Sequence, residues 1–268
     1  MIDLEKYYSS GNIPQEMHAM LSLAHNPPIL EEIWALMDLA WATTQADPDD
    51  PQSMARFYSH PVWTLNGIFT EIHEDSIYNR KTFADFIAST KPARIADYGG
   101  GFGALARLLA KRLPSASIDV VEPYPSELAL SLCKSFSNIH FVNRLSGTYD
   151  VITALDVLEH VPAPLNLVYG LSRYTHKNSY LLLANCFYPV IKCHLPCTFY
   201  LRDTFDFLMK KMGFIPVEKV LYAQTYRIGD TIRNPSTMQG WTALAKFFFS
   251  SKNSLREVYH CIRDICRK

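Results

Sequence analysis

The sequence lacks a charge excess of either sign, because its 26 basic and 26 acidic residues cancel. That balance is not the footprint of a chain that binds nucleic acid through a basic surface, and no nucleic-acid partner is expected. Also missing is any apolar run approaching the roughly 18 residues needed to span a bilayer, so no stable membrane insertion is expected. The opening residues, MIDLEKYYSSGN, show no basic segment followed by an apolar one, and no export signal is read there. Six cysteines occur without a small disulfide-rich framework around them, which fits a reducing cytoplasm. Only Cys193-His194-x-x-Cys197 is clustered, and three ligands are too few for a closed structural zinc site. No metal site is assigned.

What is present is ample material for a core: 48% hydrophobic and 13% aromatic residues in a chain of 268. That length suits one large domain, or a core domain with an appended subdomain. Residues 1 to 90 read as helices. Asn26-Pro27-Pro28 is a helix start, followed by a stripe of Ile29, Ile33, Leu36, Met37, Ala40 and Trp41, and Ala46 to Pro51 is a breaker that ends it. A second helical region runs from about Pro61 to Ser89, carrying Trp63, Leu65, Ile68, Phe69, Phe83, Phe86 and Ile87. From Lys91 short apolar strands alternate with helices. Strands are expected at Ala93–Tyr98, Ser117–Glu122, Ile139–Asn143, Asp150–Ala154 and Tyr180–Ala184, with helices at Ala104–Leu113, Ser126–Ser135 and Leu165–Tyr174 between them. Such alternation implies a parallel sheet wound on both faces, with ligands at the carboxyl ends of the strands. A helix over Leu201–Gly213 and two strands, Phe214–Leu221 and Gln224–Ile228, follow. In the tail, Leu255, Val258, Tyr259, Ile262 and Ile265 form a helical stripe that fits a helix packed on the domain, a homodimer contact or a membrane-surface contact.

The chain is organised around Asp97-Tyr98-Gly99-Gly100-Gly101-Phe102-Gly103, an acid and four glycines in the turn between a strand and a helix. Such a turn presents unpaired N–H groups and lets a ligand approach the main chain closely. Gly99-x-Gly101-x-x-Ala104 satisfies the dinucleotide fingerprint, and Glu122 falls at the end of the next strand, where a ribose-binding acid belongs. Asp97 separates the two ligand classes that use this device. A carboxylate beneath the turn repels a pyrophosphate and suits a ligand carrying an ammonium group.

The series Asp97-x-Gly99-x-Gly101-x-Gly103, Glu122, and Asp150-Val-Ile-Thr-Ala-Leu-Asp156-Val-Leu-Glu159-His160-Val161 resembles the motifs of class I S-adenosylmethionine-dependent methyltransferases over about residues 92 to 222. The resemblance implies an α/β fold, a doubly wound, mostly parallel seven-stranded sheet of the Rossmann-like methyltransferase kind, ending in an antiparallel hairpin. With it come a helical cap or lid over 1–90, a donor-binding domain over 91–230 and a helical extension over 231–268. The cofactor is then S-adenosylmethionine, leaving as S-adenosylhomocysteine, with Asp97, Tyr98, Gly99, Gly100, Gly101, Glu122, Pro123, Leu155 and Asp156 as its binding set. Asp97 serves the methionine amino end and Glu122 the ribose hydroxyls. An acid that often meets the adenine amino group after the third strand is missing from Phe141-Val-Asn143-Arg144-Leu145, where Asn143 stands as a substitute acceptor.

Over Asp156, Glu159 and His160 alone, the sequence also resembles the O-methyltransferases of ubiquinone biosynthesis, where the matching residues can hold a divalent cation. If Asp156 opens a helix, the three share one face toward the donor methyl. His160 and His194 are the catalytic candidates, His160 as a general base. His73, Tyr78 and Arg80 reach the pocket only if the N-terminal helices form a lid. The reading is methyl transfer to a small organic acceptor, foremost at oxygen of a biosynthetic metabolite. An NAD-dependent oxidoreductase using the same loop, and a non-catalytic cofactor-binding protein of this fold, stay open as alternatives.

Overall fold

The computed structural model describes residues 20, 22–25 and 28–265, and for 253–265 the backbone alone. Its centre is a seven-stranded sheet in the order β3-β2-β1-β4-β5-β7-β6. The strands are β1 (Arg94–Tyr98), β2 (Ser117–Val121), β3 (Ile139–Val142), β4 (Tyr149–Leu155), β5 (Thr175–Ala184), β6 (Phe214–Val220) and β7 (Ala223–Ile228). All neighbours pair parallel until β7, which runs antiparallel between β5 and β6. The expected fold is therefore the one observed. Strand β5 begins five residues before the expected Tyr180, and its register to β4 shifts between Tyr149 and Val151. The polar start of β5, Thr-His-Lys-Asn, carries no apolar alternation, which is why sequence pattern gives no strand there.

Helices α1 (Leu30–Thr43), α2 (Pro51–Tyr58), α3 (Val62–Ile72) and α4 (Glu74–Ser89) precede the sheet. The Ala46–Pro51 stretch does end α1, and it also starts α2. Asp50 accepts hydrogen bonds from the N–H groups of Gln52 and Ser53, and Pro51 occupies the first turn, where its missing N–H costs nothing. The expected helical region over 61–89 consists of two helices, parted at His73, whose extended backbone closes α3 and opens α4. The proposed start at Asn26-Pro27 lies outside the described residues, and α1 opens at Leu30 with Glu32 Oε2 accepting from the N–H of Ile29 at 2.9 Å.

Three helices flank the first half of the sheet, α5 (Ala104–Arg112), α6 (Glu127–Cys133) and α7 (Pro164–Ser172), followed by α8 (Phe205–Met212) and α9 (Gln239–Ile265). Buried residues of one core are shared by α4, β1 and α5: Phe83, Ala84 and Ile87 pack with Ile95, Leu105 and Leu109. A separate cluster joins α1, α2 and α3 to the loop after β5 through Ile33, Leu36, Phe57, Leu65, Ile191 and Cys193. The N-terminal helices thus sit on the loops at the carboxyl end of the sheet. On α9, Trp241, Leu244, Phe247 and Phe248 are exposed while Ala245 is buried against the domain.

Candidate active site

The glycine turn leaves β1 and enters α5. Gly99, Gly101 and Gly103 all have φ between +50° and +69°, a region that L side chains rarely adopt, and a Cβ at Gly101 would meet nothing within 4 Å, so its outer side is open to a ligand. Beneath the turn lies Asp97, 3% exposed. Its Oδ1 accepts a 2.7 Å hydrogen bond from Thr153 on β4. Burial pushes the Asp97 carboxyl up to about 6, against the lowering influence of Thr153 and Arg80. Glu122 follows β2, its Oε2 accepting from Gly101 N–H at 3.2 Å and its Oε1 from Tyr124 N–H at 3.2 Å. Burial raises its pKa as well. Tyr98 and Leu155 are half-buried at the ends of β1 and β4, and Pro123 is exposed beside Glu122.

Asp156 departs from the expectation. It opens no helix but takes a left-handed conformation with φ +53°, and a 3-10 turn of three residues, Leu158–His160, follows. An acid tolerates that region better than a branched residue, yet it is uncommon and recurs at functional sites. Solvent reaches Asp156, while the protein packed around its carboxyl pushes the pKa up to about 6. Its Oδ2 accepts from the hydroxyl of Tyr222, in the link between β6 and β7, at 3.0 Å.

The common face of Asp156, Glu159 and His160 is likewise not formed. Glu159 turns inward, with Oε1 accepting from Cys186 N–H at 2.8 Å. Burial, then the Asp156 charge, raises its carboxyl to about 8. His160 Nδ1 meets the carbonyl of Cys193 at 3.1 Å, and its ring packs edge-on to Trp63 of α3 and to His194. Burial, then His194, holds His160 down at about 3, which disfavours the general-base role expected of it. His194 Nδ1 meets Tyr188 O at 2.7 Å, and burial lowers this ring too.

The grouping of Cys193, His194 and Cys197 does not form as ligands. Cys193 is buried among the N-terminal helices, Cys197 is exposed with its thiol on Pro162 O, and His194 joins Glu159 and His160 instead. Nor does the trio implied for a divalent cation fit together. Asp156 is engaged by Tyr222, and the group whose ligand atom approaches those of Glu159 and His160 is His194.

Of the conditional residues, Arg80 enters the site. It is anchored from Nη1 to Thr70 O and Ser76 O, and its charge bears on Asp97, Asp156 and Tyr222. Tyr78 is 60% exposed on the other side of α4. His73 stacks on Phe69, with Nδ1 3.0 Å from Ser76 Oγ. Two residues of the site were not anticipated. Tyr222 lies in a link too short to show a pattern, and Asn185, just past β5, has a buried Oδ1 without a hydrogen-bond partner. The glycine turn is tied to the N-terminal helices by Phe102, whose ring occupies the place a Cβ on Gly67 of α3 would take, and by the 2.5 Å ion pair of Arg107 with Glu71.

A family model described as a methyltransferase domain matches residues 73–218. The ubiquinone biosynthesis O-methyltransferase of Burkholderia pseudomallei is 28% identical over 134 residues, which are 47% of this chain and 57% of that protein. Its namesake from Nitrosomonas europaea is 25% identical over 146 residues, 50% of this chain and 62% of that one. The chain thus spans less than two thirds of these relatives. An O-methyltransferase family protein from Burkholderia thailandensis superposes with a TM-score of 0.50 at 10% identity, over 74% of this chain and 70% of that one, a likeness of fold.

Proposed function

The chain belongs to the methyltransferase-domain family, and from that premise we propose that it transfers the methyl group of S-adenosylmethionine to an oxygen of a small organic acceptor, a biosynthetic metabolite. The observation that carries this reading is the buried acid beneath an open glycine turn. Asp97 favours a cationic amino end over a phosphate, and Glu122 offers a carboxylate at the end of β2 for the ribose diol. Arg80 is a cation placed for the methionine carboxylate. Tyr98, Gly99, Gly100, Gly101, Pro123, Leu155 and Asp156 complete the donor site. The oxygen preference is supported by relatives that carry O-methyltransferase in their names.

Methyl transfer is an in-line displacement at the sulfonium carbon, so holding donor and acceptor at reacting distance supplies about 7–11 kcal/mol of the barrier. The acceptor enters from the side walled by Trp63, His160 and His194, under helices that keep water out. With His160 held neutral and weakly basic, the proton of an acceptor hydroxyl goes to Asp156, whose carboxyl near 6 suits a base at neutral pH. Among the described residues no helix is long and apolar enough to cross a membrane. Four unpaired thiols among those residues support a cytoplasmic location.

Isothermal titration with S-adenosylhomocysteine and NAD tests the donor. Binding of the former alone is expected, and binding of NAD alone would overturn the assignment. Release of S-adenosylhomocysteine across a panel of hydroxylated metabolites then tests for turnover, which a non-catalytic binding protein would not give.

A further inference from the structure

Three side chains from two separate segments converge under the N-terminal helices. Glu159 and His160 come from the turn after β4 and His194 from the loop after β5, and one ligand atom of each lies within 4.8 Å of the other two. Glu159 is 0% exposed. Its Oε1 is satisfied by Cys186 N–H, but its Oε2 is buried without a hydrogen-bond partner. A buried polar atom left that way is costly unless something binds it. The two imidazoles are pre-oriented. His160 Nδ1 meets Cys193 O at 3.1 Å and His194 Nδ1 meets Tyr188 O at 2.7 Å. A carbonyl only accepts, so each Nδ1 carries the hydrogen and each Nε2 keeps a lone pair. Donation of the second ring N–H to a backbone carbonyl is how metal-binding histidines are held.

We propose that Glu159 Oε2, His160 Nε2 and His194 Nε2 bind a divalent transition-metal ion of the zinc class. Two imidazoles and one carboxylate match the donor preference of Zn²⁺, whereas Mg²⁺ and Ca²⁺ call for oxygen ligands. Tetrahedral bonds of about 2.0–2.2 Å place ligand atoms roughly 3.5 Å apart, so side-chain rotation on the order of 1 Å closes the observed spacing. The set is not the one implied by the resemblance to ubiquinone O-methyltransferases, since His194 stands where Asp156 would. The ion ties the turn after β4 to the loop after β5. That loop in turn supports α1, through Ile191 and Cys193 in a shared core and Lys192 N–H donating to Asp38 at 2.6 Å.

Chelator-stripped full-length protein is dialysed against Zn²⁺ or Co²⁺, with uptake read by elemental analysis and the cobalt site by its visible absorption. The expected result is one ion per chain with tetrahedral-type cobalt bands, and a thermal midpoint raised by Zn²⁺. Glu159→Gln and His194→Ala should each weaken uptake at least tenfold, while Asp156→Asn and Cys197→Ser retain it. Glu159→Gln is nearly isosteric and, with its fold checked by circular dichroism, keeps the test usable if His194→Ala does not fold. Absence of uptake by the unmutated chain overturns the site. So does uptake that survives Glu159→Gln and His194→Ala, or that is lost in Asp156→Asn or Cys197→Ser. No donor or acceptor enters the measurement, so its outcome is separate from that of the methyl-transfer reading.

Discussion

Tyr222 donates its hydroxyl to Asp156 Oδ2 at 3.0 Å, joining the hairpin at one end of the sheet to the left-handed residue at the end of β4, 66 positions earlier. The contact lowers the Asp156 pKa against the larger upward push of the protein packed around its carboxyl, and the balance stands near 6. Turnover that needs the carboxylate should therefore rise with pH through about 6. Tyr222→Phe removes the lowering contact, so the acid limb of the pH–kcat profile should move to higher pH. Asp156→Asn should reduce kcat by about 10²- to 10⁴-fold and erase that limb. A limb that stays in place in both variants would return the base role to another group.

A donor-binding role for Asp97 would set affinity against stability. Its carboxyl is pushed from 3.8 up to about 6 in the folded protein, so the native state holds its proton more tightly than the unfolded chain. Stability is then lost as pH rises from about 4 through about 6, by as much as about 3 kcal/mol. Asp97→Asn keeps an acceptor for Thr153 and removes the buried charge. Denaturant unfolding should find it more stable than the parent at pH 7.5, by about 1–3 kcal/mol, and no longer ahead at pH 4. Calorimetry should find donor binding weaker by about 1–3 kcal/mol.

Glu122→Ala should also weaken donor binding by about 1–3 kcal/mol, since it removes both the proposed acceptor of the ribose hydroxyls and the partner of Gly101 N–H. Affinity equal to that of the parent would sink the ribose assignment.

Gly67→Ala places a methyl group inside the Phe102 ring. Overpacking of this kind costs about 1–3 kcal/mol, partly offset by the better helix propensity of alanine. The variant should lose stability and donor affinity together, and adding Phe102→Leu should restore part of both. Two independent, additive losses in the double mutant would show that the contact does not couple cap and turn.

The sheet was legible because the parallel strands carry short apolar runs bounded by turn residues, the polar start of β5 excepted, and the glycine turn marks the expected ligand site. The acceptor side was not. Asp156-Val-Leu-Glu159-His160 has the spacing of a helical face, but Asp156 Oδ2 is held by Tyr222 and Glu159 Oε1 by the N–H of Cys186, contacts across 66 and 27 positions that a local pattern does not carry. The same holds for α4. Its aromatic residues look like those of the preceding helices, yet Phe83, Ala84 and Ile87 are buried with β1 and α5, so a chain cut at Lys91 would expose part of that core. His194 lies beside Cys193 and Cys197 in the sequence, where it is a catalytic candidate, and its neighbours in space, Glu159 and His160, come from the other side of β5.

The wedge of Phe102 against Gly67, with the Arg107–Glu71 pair beside it, joins α3 to the glycine turn and the start of α5. On the proposed function, movement of α3 to admit an acceptor would pull on the turn proposed to cradle the donor, whereas a seated donor would hold that turn in place. Under the proposed methyl transfer the expected kinetic order is S-adenosylmethionine first and S-adenosylhomocysteine last, and product-inhibition kinetics check it: the spent donor should compete with fresh donor and not with the acceptor.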